Sequence, residues 1–233
     1  MEKDFDLEAI VLAGGLGTRL RSVVSDLPKP MAPIGDKPFL GYILKYLQNS
    51  GVKIVILSVG YKWETIKDYF GDRFENIELI YSVEDEPLGT GGAIKKAMTQ
   101  AKNNQVYIIN GDTFFNVDLQ SLELQNDSKL ILSLKQMNEF DRYGCVESDD
   151  NNFVTAFTEK GYKKSGNING GIYLASIDIF DNYDLNEKFS FEEFMQDNFQ
   201  KLKASVKVFD NYFIDIGIPE DYEKAQSEIK DYI

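Results

Sequence analysis

Glu8-Ala9-Ile10-Val11-Leu12 runs directly into Ala13-Gly14-Gly15-Leu16-Gly17-Thr18-Arg19-Leu20-Arg21, and Pro28-Lys29-Pro30 follows seven residues later. A short, β-rich apolar run of this kind reads as a buried strand, and the glycines after it read as a turn at its carboxyl end. Glycine lets backbone N–H groups close on a phosphate chain, while Arg19, Arg21 and Lys29 supply positive charge. Two prolines stiffen the backbone around Lys29, which suits a placed cation better than a solvated one. Two other glycine loops are excluded by spacing. The dinucleotide fingerprint needs a third glycine where Leu20 stands, and a phosphate-binding loop of the Gly-Lys-Ser/Thr type would need its lysine where Arg19-Leu20 stands.

The same texture continues outward. Lys53–Val59, Ile77–Val83 and Val106–Ile109 read as further buried strands, and Pro38–Asn49, Trp63–Phe70 and Gly91–Ala101 read as the helices between them. This alternation implies an α/β fold, a Rossmann-like, mostly parallel sheet flanked by helices, with ligands bound beyond the carboxyl ends of its strands. Asn110-Gly111-Asp112 falls at that edge. After Lys129 the pattern turns to alternating strands, Lys129–Lys135, Phe153–Thr158 and Gly171–Ala175, broken by the polar runs 149–152 and 163–167. Pro219 opens a final helix over 219–233, with Glu220 and Asp221 in its first turn to complement the dipole.

A length of 233 residues without a linker or internal repeat suits one α/β domain. The net charge of −13 argues against nucleic acid or an anionic membrane as partner. Of four arginines, two crowd the glycine turn, so positive charge is local. The sequence shows no export signal or membrane span, and a cytoplasmic location is the expectation. Cys145 is the only cysteine, which excludes an internal disulfide and a cysteine-cluster metal site, and it reads as a small buried hydrophobe. Trp63 and the many phenylalanines read as packing residues. Histidine is absent, which removes histidine triads, imidazole proton shuttles and histidine metal sites.

Asp112 ends Val-Tyr-Ile-Ile-Asn-Gly-Asp and Asp215 sits in Phe-Ile-Asp-Ile-Gly, each placing a carboxylate at the end of an apolar run. Each suits a turn or a helix cap as readily as a cation. Two separated aspartates suffice for Mg²⁺, which completes its octahedron with water and substrate phosphates.

Taken together, residues 9–20, Pro28-Lys29-Pro30, Pro87-Leu88-Gly89-Thr90-Gly91-Gly92-Ala93, Asn110-Gly111-Asp112, Glu159-Lys160, Asn169-Gly170-Gly171-Ile172-Tyr173 and Asp215-Ile216-Gly217 resemble the sugar-1-phosphate nucleotidyltransferases, in the family's order over almost the whole chain. Within that family the closest resemblance is to guanylyltransferases acting on D-glycero-α-D-manno-heptose 1-phosphate, with mannose-1-phosphate guanylyltransferases as near relatives. The resemblance implies GTP and a sugar 1-phosphate as partners and Mg²⁺ as cofactor. It divides the domain into a nucleotide half over about 1–125 and a sugar half over about 126–218.

It also carries roles onto residues. Leu12, Ala13, Gly14, Gly15, Gly17, Thr18, Gly89, Thr90 and Gly111 would line the nucleotide. Arg19 would contact the triphosphate, Lys29 the transferring α-phosphoryl group, and Asp112 with Asp215 the metal. Gly144, after Tyr143, and Asn169 would meet the sugar, Glu159 its hydroxyls, and Lys160 its phosphate. The family's Glu-Lys pair usually precedes proline, whereas Gly161 stands here. Glu84, three residues before Pro87, falls where the family reads the base edge. Guanine offers N1–H and an exocyclic amine side by side, which one carboxylate can accept. Mannose 1-phosphate with GTP, hexose 1-phosphates with UTP or dTTP, and a non-catalytic nucleotide-sugar sensor are the alternatives. A homo-oligomer is left open, since the sequence does not settle oligomeric state.

Overall fold

A computed structural model describes residues 6–15 and 27–233. In chain order the first part of the chain holds β1 (Leu7–Leu12), the short pair β2 (Pro33–Ile34) and β3 (Lys37–Pro38), α1 (Phe39–Asn49), β4 (Val52–Val59), α2 (Trp63–Phe70), β5 (Arg73–Phe74), β6 (Ile77–Val83), α3 (Gly89–Met98) and β7 (Gln105–Asn110). The remainder holds β8 (Thr113–Phe115), β9 (Leu130–Phe140), β10 (Val146–Ser148), β11 (Val154–Phe157), β12 (Lys163–Ser176), α4 (Phe191–Asn198), β13 (Ser205–Phe209), β14 (Phe213–Asp215) and α5 (Pro219–Glu228).

Eight strands form one sheet in the order β13-β9-β12-β7-β1-β4-β6-β5. β7, β1, β4 and β6 are mutually parallel, and β12 enters antiparallel between β7 and β9. Side chains of the central strands alternate between two cores. Ala9, Val11, Val55, Leu57 and Ile109 meet α1 through Phe39, Leu40, Ile43 and Leu47. Ile10, Ile56 and Ile108 meet α3 and α4 through Ile94, Ala97, Phe191 and Phe194. Full burial of each such side chain contributes about 1.5–3 kcal/mol, so these strands are apolar throughout because both faces are covered. No helix among the described residues is long and apolar enough to cross a membrane.

Three readings of the sequence need correction. The polar run 163–167 is not a break but the first part of β12, one continuous strand. Its residues pair with the far end of β9, Lys163 with Phe140 and Asn167 with Gln136. There the ladder of backbone hydrogen bonds holds a ribbon that is largely open to solvent, so apolar content gives no sign of it. The second correction is that α3 starts at Gly89 rather than Gly91 and ends at Met98. Third, α5 ends at Glu228 and continues only as a 3-10 turn over Ile229–Tyr232. Cys145 is buried and free, beside Phe140 and Ile168, and Trp63 packs against the core.

A candidate active site at the carboxyl edge of the sheet

The carboxyl ends of β1, β4, β6 and β7 and the start of α3 enclose a cleft of about 670 Å³. Backbone hydrogen bonds tie these ends together. Ala13 N–H donates to Ser58 O at 2.7 Å, Glu84 N–H to Val59 O at 2.7 Å, and Gly111 N–H to Leu12 O at 3.0 Å. Gly111 is required for that last approach, since a Cβ there would lie 2.2 Å from the Leu12 carbonyl oxygen. Leu12, Gly14, Gly15, Lys29, Glu84, Gly89, Thr90, Gly111 and Asp112 all line the cleft, and Ala13 is buried behind it. Gly17, Thr18, Arg19 and Arg21 lie outside the described residues.

Glu84 is anchored in the wall. The Ser58 hydroxyl donates to its Oε1 at 3.3 Å and Leu88 N–H to its Oε2 at 3.0 Å. Each oxygen retains acceptor capacity toward the cleft. Thr90 is committed otherwise: its hydroxyl donates to Glu192 Oε2 at 2.7 Å and accepts from Phe191 N–H at 2.8 Å, so it joins α3 to α4. Glu192 is a cleft residue that sequence reading missed. Nothing in Ser190-Phe191-Glu192-Glu193 distinguishes it from the capped, acidic first turn of an ordinary helix.

Asp112 and Asp215 come together although 103 positions separate them by number, because β8 and β14 pair directly after and before them. Thr113 lies opposite Asp215 in that ladder, and Ile216 N–H donates to Asp112 O at 3.0 Å. Lys29, held in a 3-10 turn between its prolines and 11% exposed, places Nζ 2.6 Å from Asp112 Oδ2. Gly217 N–H donates to Asp215 Oδ1 at 2.7 Å. Burial raises the Asp215 carboxyl above its usual range, the neighbouring Asp112 charge raises it further, and Lys29 opposes both. A half-buried pair of carboxylates whose charges repel is a donor set suited to a hard divalent cation, with oxygen ligands only. No group of three or more acidic, cysteine or histidine residues suited to a metal occurs among the described residues, so substrate phosphates and water would have to complete the shell.

The residues expected on the sugar side do not line this cleft. Gly144 lies against the Thr158 and Glu159 backbone, and Glu159 and Lys160 are exposed. Asn169 donates through Nδ2 to the Tyr173 hydroxyl at 2.8 Å and accepts from Gly171 N–H at 3.0 Å. The pairing of β12 with β9 shifts register here. Gly171 has φ +75°, and a Cβ would press on the Asn110 side chain at 2.8 Å, so glycine is what lets β12 pass the end of β7. Asp215 borders a second recess of about 390 Å³, formed with Arg142, Tyr143, Phe213 and Asp221.

The profile of the nucleotidyl transferase family matches residues 8–232. The chain belongs to the nucleotidyl transferase family. This nucleotidyl transferase is 60% identical over 216 residues to D-glycero-alpha-D-manno-heptose 1-phosphate guanylyltransferase of Campylobacter jejuni, covering 93% of this chain and 97% of that one. It is 55% identical over 231 residues to the enzyme of the same name from Aneurinibacillus thermoaerophilus, covering 97% and 100%. Among solved structures it superposes on HddC from Yersinia pseudotuberculosis complexed with GMP-PN, with a TM-score of 0.82 and 40% identity over 95% of this chain and 99% of that one.

Proposed function

We propose that this nucleotidyl transferase moves the guanylyl group of GTP onto D-glycero-α-D-manno-heptose 1-phosphate, giving GDP-heptose and pyrophosphate. The observation that carries the reading is identity of 60% and 55% with two heptose 1-phosphate guanylyltransferases over nearly the whole chain. A cleft that runs from an anchored carboxylate, Glu84, to Asp112, with Asp215 close enough to Asp112 to feel its charge, supports it.

Glu84 accepts hydrogen bonds from guanine N1–H and the exocyclic amine, its orientation fixed by Ser58 and Leu88. Gly14, Gly15, Gly89 and Gly111 line the cleft that takes the nucleotide, and the family resemblance assigns Gly17, Thr18 and Arg19 to the nucleotide as well. Mg²⁺ held by Asp112 and Asp215 would neutralise phosphate charge. Lys29 leaves Asp112 to meet the α-phosphoryl group. Lys160 holds the acceptor phosphate, and Gly144, Glu159 and Asn169 orient the sugar.

An oxygen of the heptose phosphate forms the new bond to the α-phosphorus, the bond from that phosphorus to the bridging oxygen of the β-phosphate breaks, and its electron pair leaves on pyrophosphate. No proton need be abstracted, because the second pKa of such a phosphate is about 6. Positioning and charge neutralisation then carry the reaction, which agrees with a chain that has no histidine.

The test is product identity. Incubation with GTP, Mg²⁺ and the heptose 1-phosphate should release one pyrophosphate for each GDP-heptose detected by mass. GTP binding without pyrophosphate release in the presence of any sugar 1-phosphate would establish a nucleotide-sugar sensor instead.

A further inference from the structure

Both oxygens of Asp215 are held from outside the nucleotide cleft, Oδ1 by Gly217 N–H and Oδ2 by the Tyr143 hydroxyl at 3.4 Å. The tyrosine donor is itself oriented. Arg142 Nη2 lies 2.6 Å from the Tyr143 oxygen and 2.6 Å from Asp221 Oδ2. A guanidinium can only donate, so the tyrosine oxygen accepts from it and has a single proton left, which is directed at Asp215. The Arg142 guanidinium also lies over the Tyr143 ring, 5.2 Å from its centroid, and the ring meets Phe213 edge-on at 6.2 Å. Asp221 stands in the first turn of α5, whose Tyr222 and Ala225 are buried in the core. The chain of contacts thus runs from a packed helix to one oxygen of one carboxylate.

We propose that Arg142 and Tyr143, anchored on Asp221, are positioning residues that aim the Asp215 carboxylate at a divalent cation. The proposal rests on the reading of Asp112 and Asp215 as a cation pair. Without the Tyr143 proton the carboxylate is held through Oδ1 alone and can turn about its Cβ–Cγ bond. The Arg142 charge also offsets part of the burial and like-charge repulsion that disfavour an ionised Asp215. Hydrogen bonds that orient metal ligands are commonly worth 10–100-fold in metal affinity. None of this is legible along the chain, where 79 positions separate Arg142 from Asp221.

Mn²⁺ binding to the protein saturated with GMP, a weak chelator, tests the relay without turnover. Free Mn²⁺ is counted by its electron paramagnetic resonance signal. Tyr143→Phe should weaken Mn²⁺ about tenfold, Asp221→Asn should weaken it less, and Asp215→Asn should abolish it, with melting temperatures confirming that each variant is folded. Loss in Asp215→Asn with unchanged affinity in both Tyr143→Phe and Asp221→Asn would overturn the relay alone. Unchanged affinity in Asp215→Asn, or no Mn²⁺ bound by the unaltered protein, would overturn the cation pair and the relay together. A turnover assay adds a second distinction: Tyr143→Phe should recover toward the unaltered rate as Mg²⁺ is raised, whereas a purely structural defect would not respond to the metal.

Discussion

The proposed nucleotide side and the proposed acceptor side of this molecule are built in different ways. On the nucleotide side, strand ends are laced by backbone hydrogen bonds such as Ala13 to Ser58 and Gly111 to Leu12, and the wall combines glycines with side chains held in place, among them the anchored carboxylates Glu84 and Glu192. On the acceptor side, Glu159 and Lys160 are exposed side chains just beyond β11, beside a long antiparallel ribbon of β9 and β12. A site of the first kind is harmed by adding atoms, and one of the second kind by removing charge. The two meet where β8 and β14 bring Asp112 and Asp215 together.

The junction should show the largest effect. Asp112→Asn and Asp215→Asn should each lower turnover by about 10²–10³-fold, the usual loss for one group that stabilises developing charge, while GMP still binds. Pyrophosphate release at saturating substrates measures this, and near-normal rates would dissolve the junction. Lys29→Ala should cost about 10²-fold in turnover and less in the Michaelis constant for GTP, if its charge acts on the transferring group. A change confined to the Michaelis constant would move Lys29 to the binding wall.

Glu84→Gln sharpens the nucleotide side. It places a donor against the donors of guanine and should cost GTP about 2–3 kcal/mol in catalytic efficiency. UTP or dTTP should lose less. An unchanged ratio of GTP to dTTP would remove Glu84 from base reading.

The smallest effect is on stability. Because Asp215 has a raised pKa in the fold, ionising it costs more there than in the unfolded chain, so stability is lost as pH rises through that pKa. Asp215→Asn should therefore melt higher than the unaltered, metal-free protein at neutral pH, and the gap should close in acid as the aspartate protonates. A variant that melts lower at neutral pH would contradict the account in which burial, and after it the Asp112 charge, disfavours an ionised Asp215.

The nucleotide side was legible because its chemistry is local: Gly14-Gly15 follows β1, and Asn110-Gly111-Asp112 follows β7, each within a few residues of the strand that places it. The acceptor side was less so. The polar start of β12 carries no periodicity to mark a strand, and α4 and β13 went unread because, at 8 and 5 residues, each is too short for its apolar spacing to stand out among the polar residues around it. Glu192 in the cleft, and Arg142 with Asp221 beside Asp215, depend on contacts across the sheet that no spacing along the chain records.

The division of labour itself is tested by two Michaelis constants measured in two variants. Glu84→Gln should raise the constant for GTP and leave that for heptose 1-phosphate unchanged, whereas Lys160→Ala should raise the constant for heptose 1-phosphate and leave that for GTP unchanged. If either variant moves both constants together, or each moves the other's substrate, the two sides are not separate readers that meet at Asp112 and Asp215.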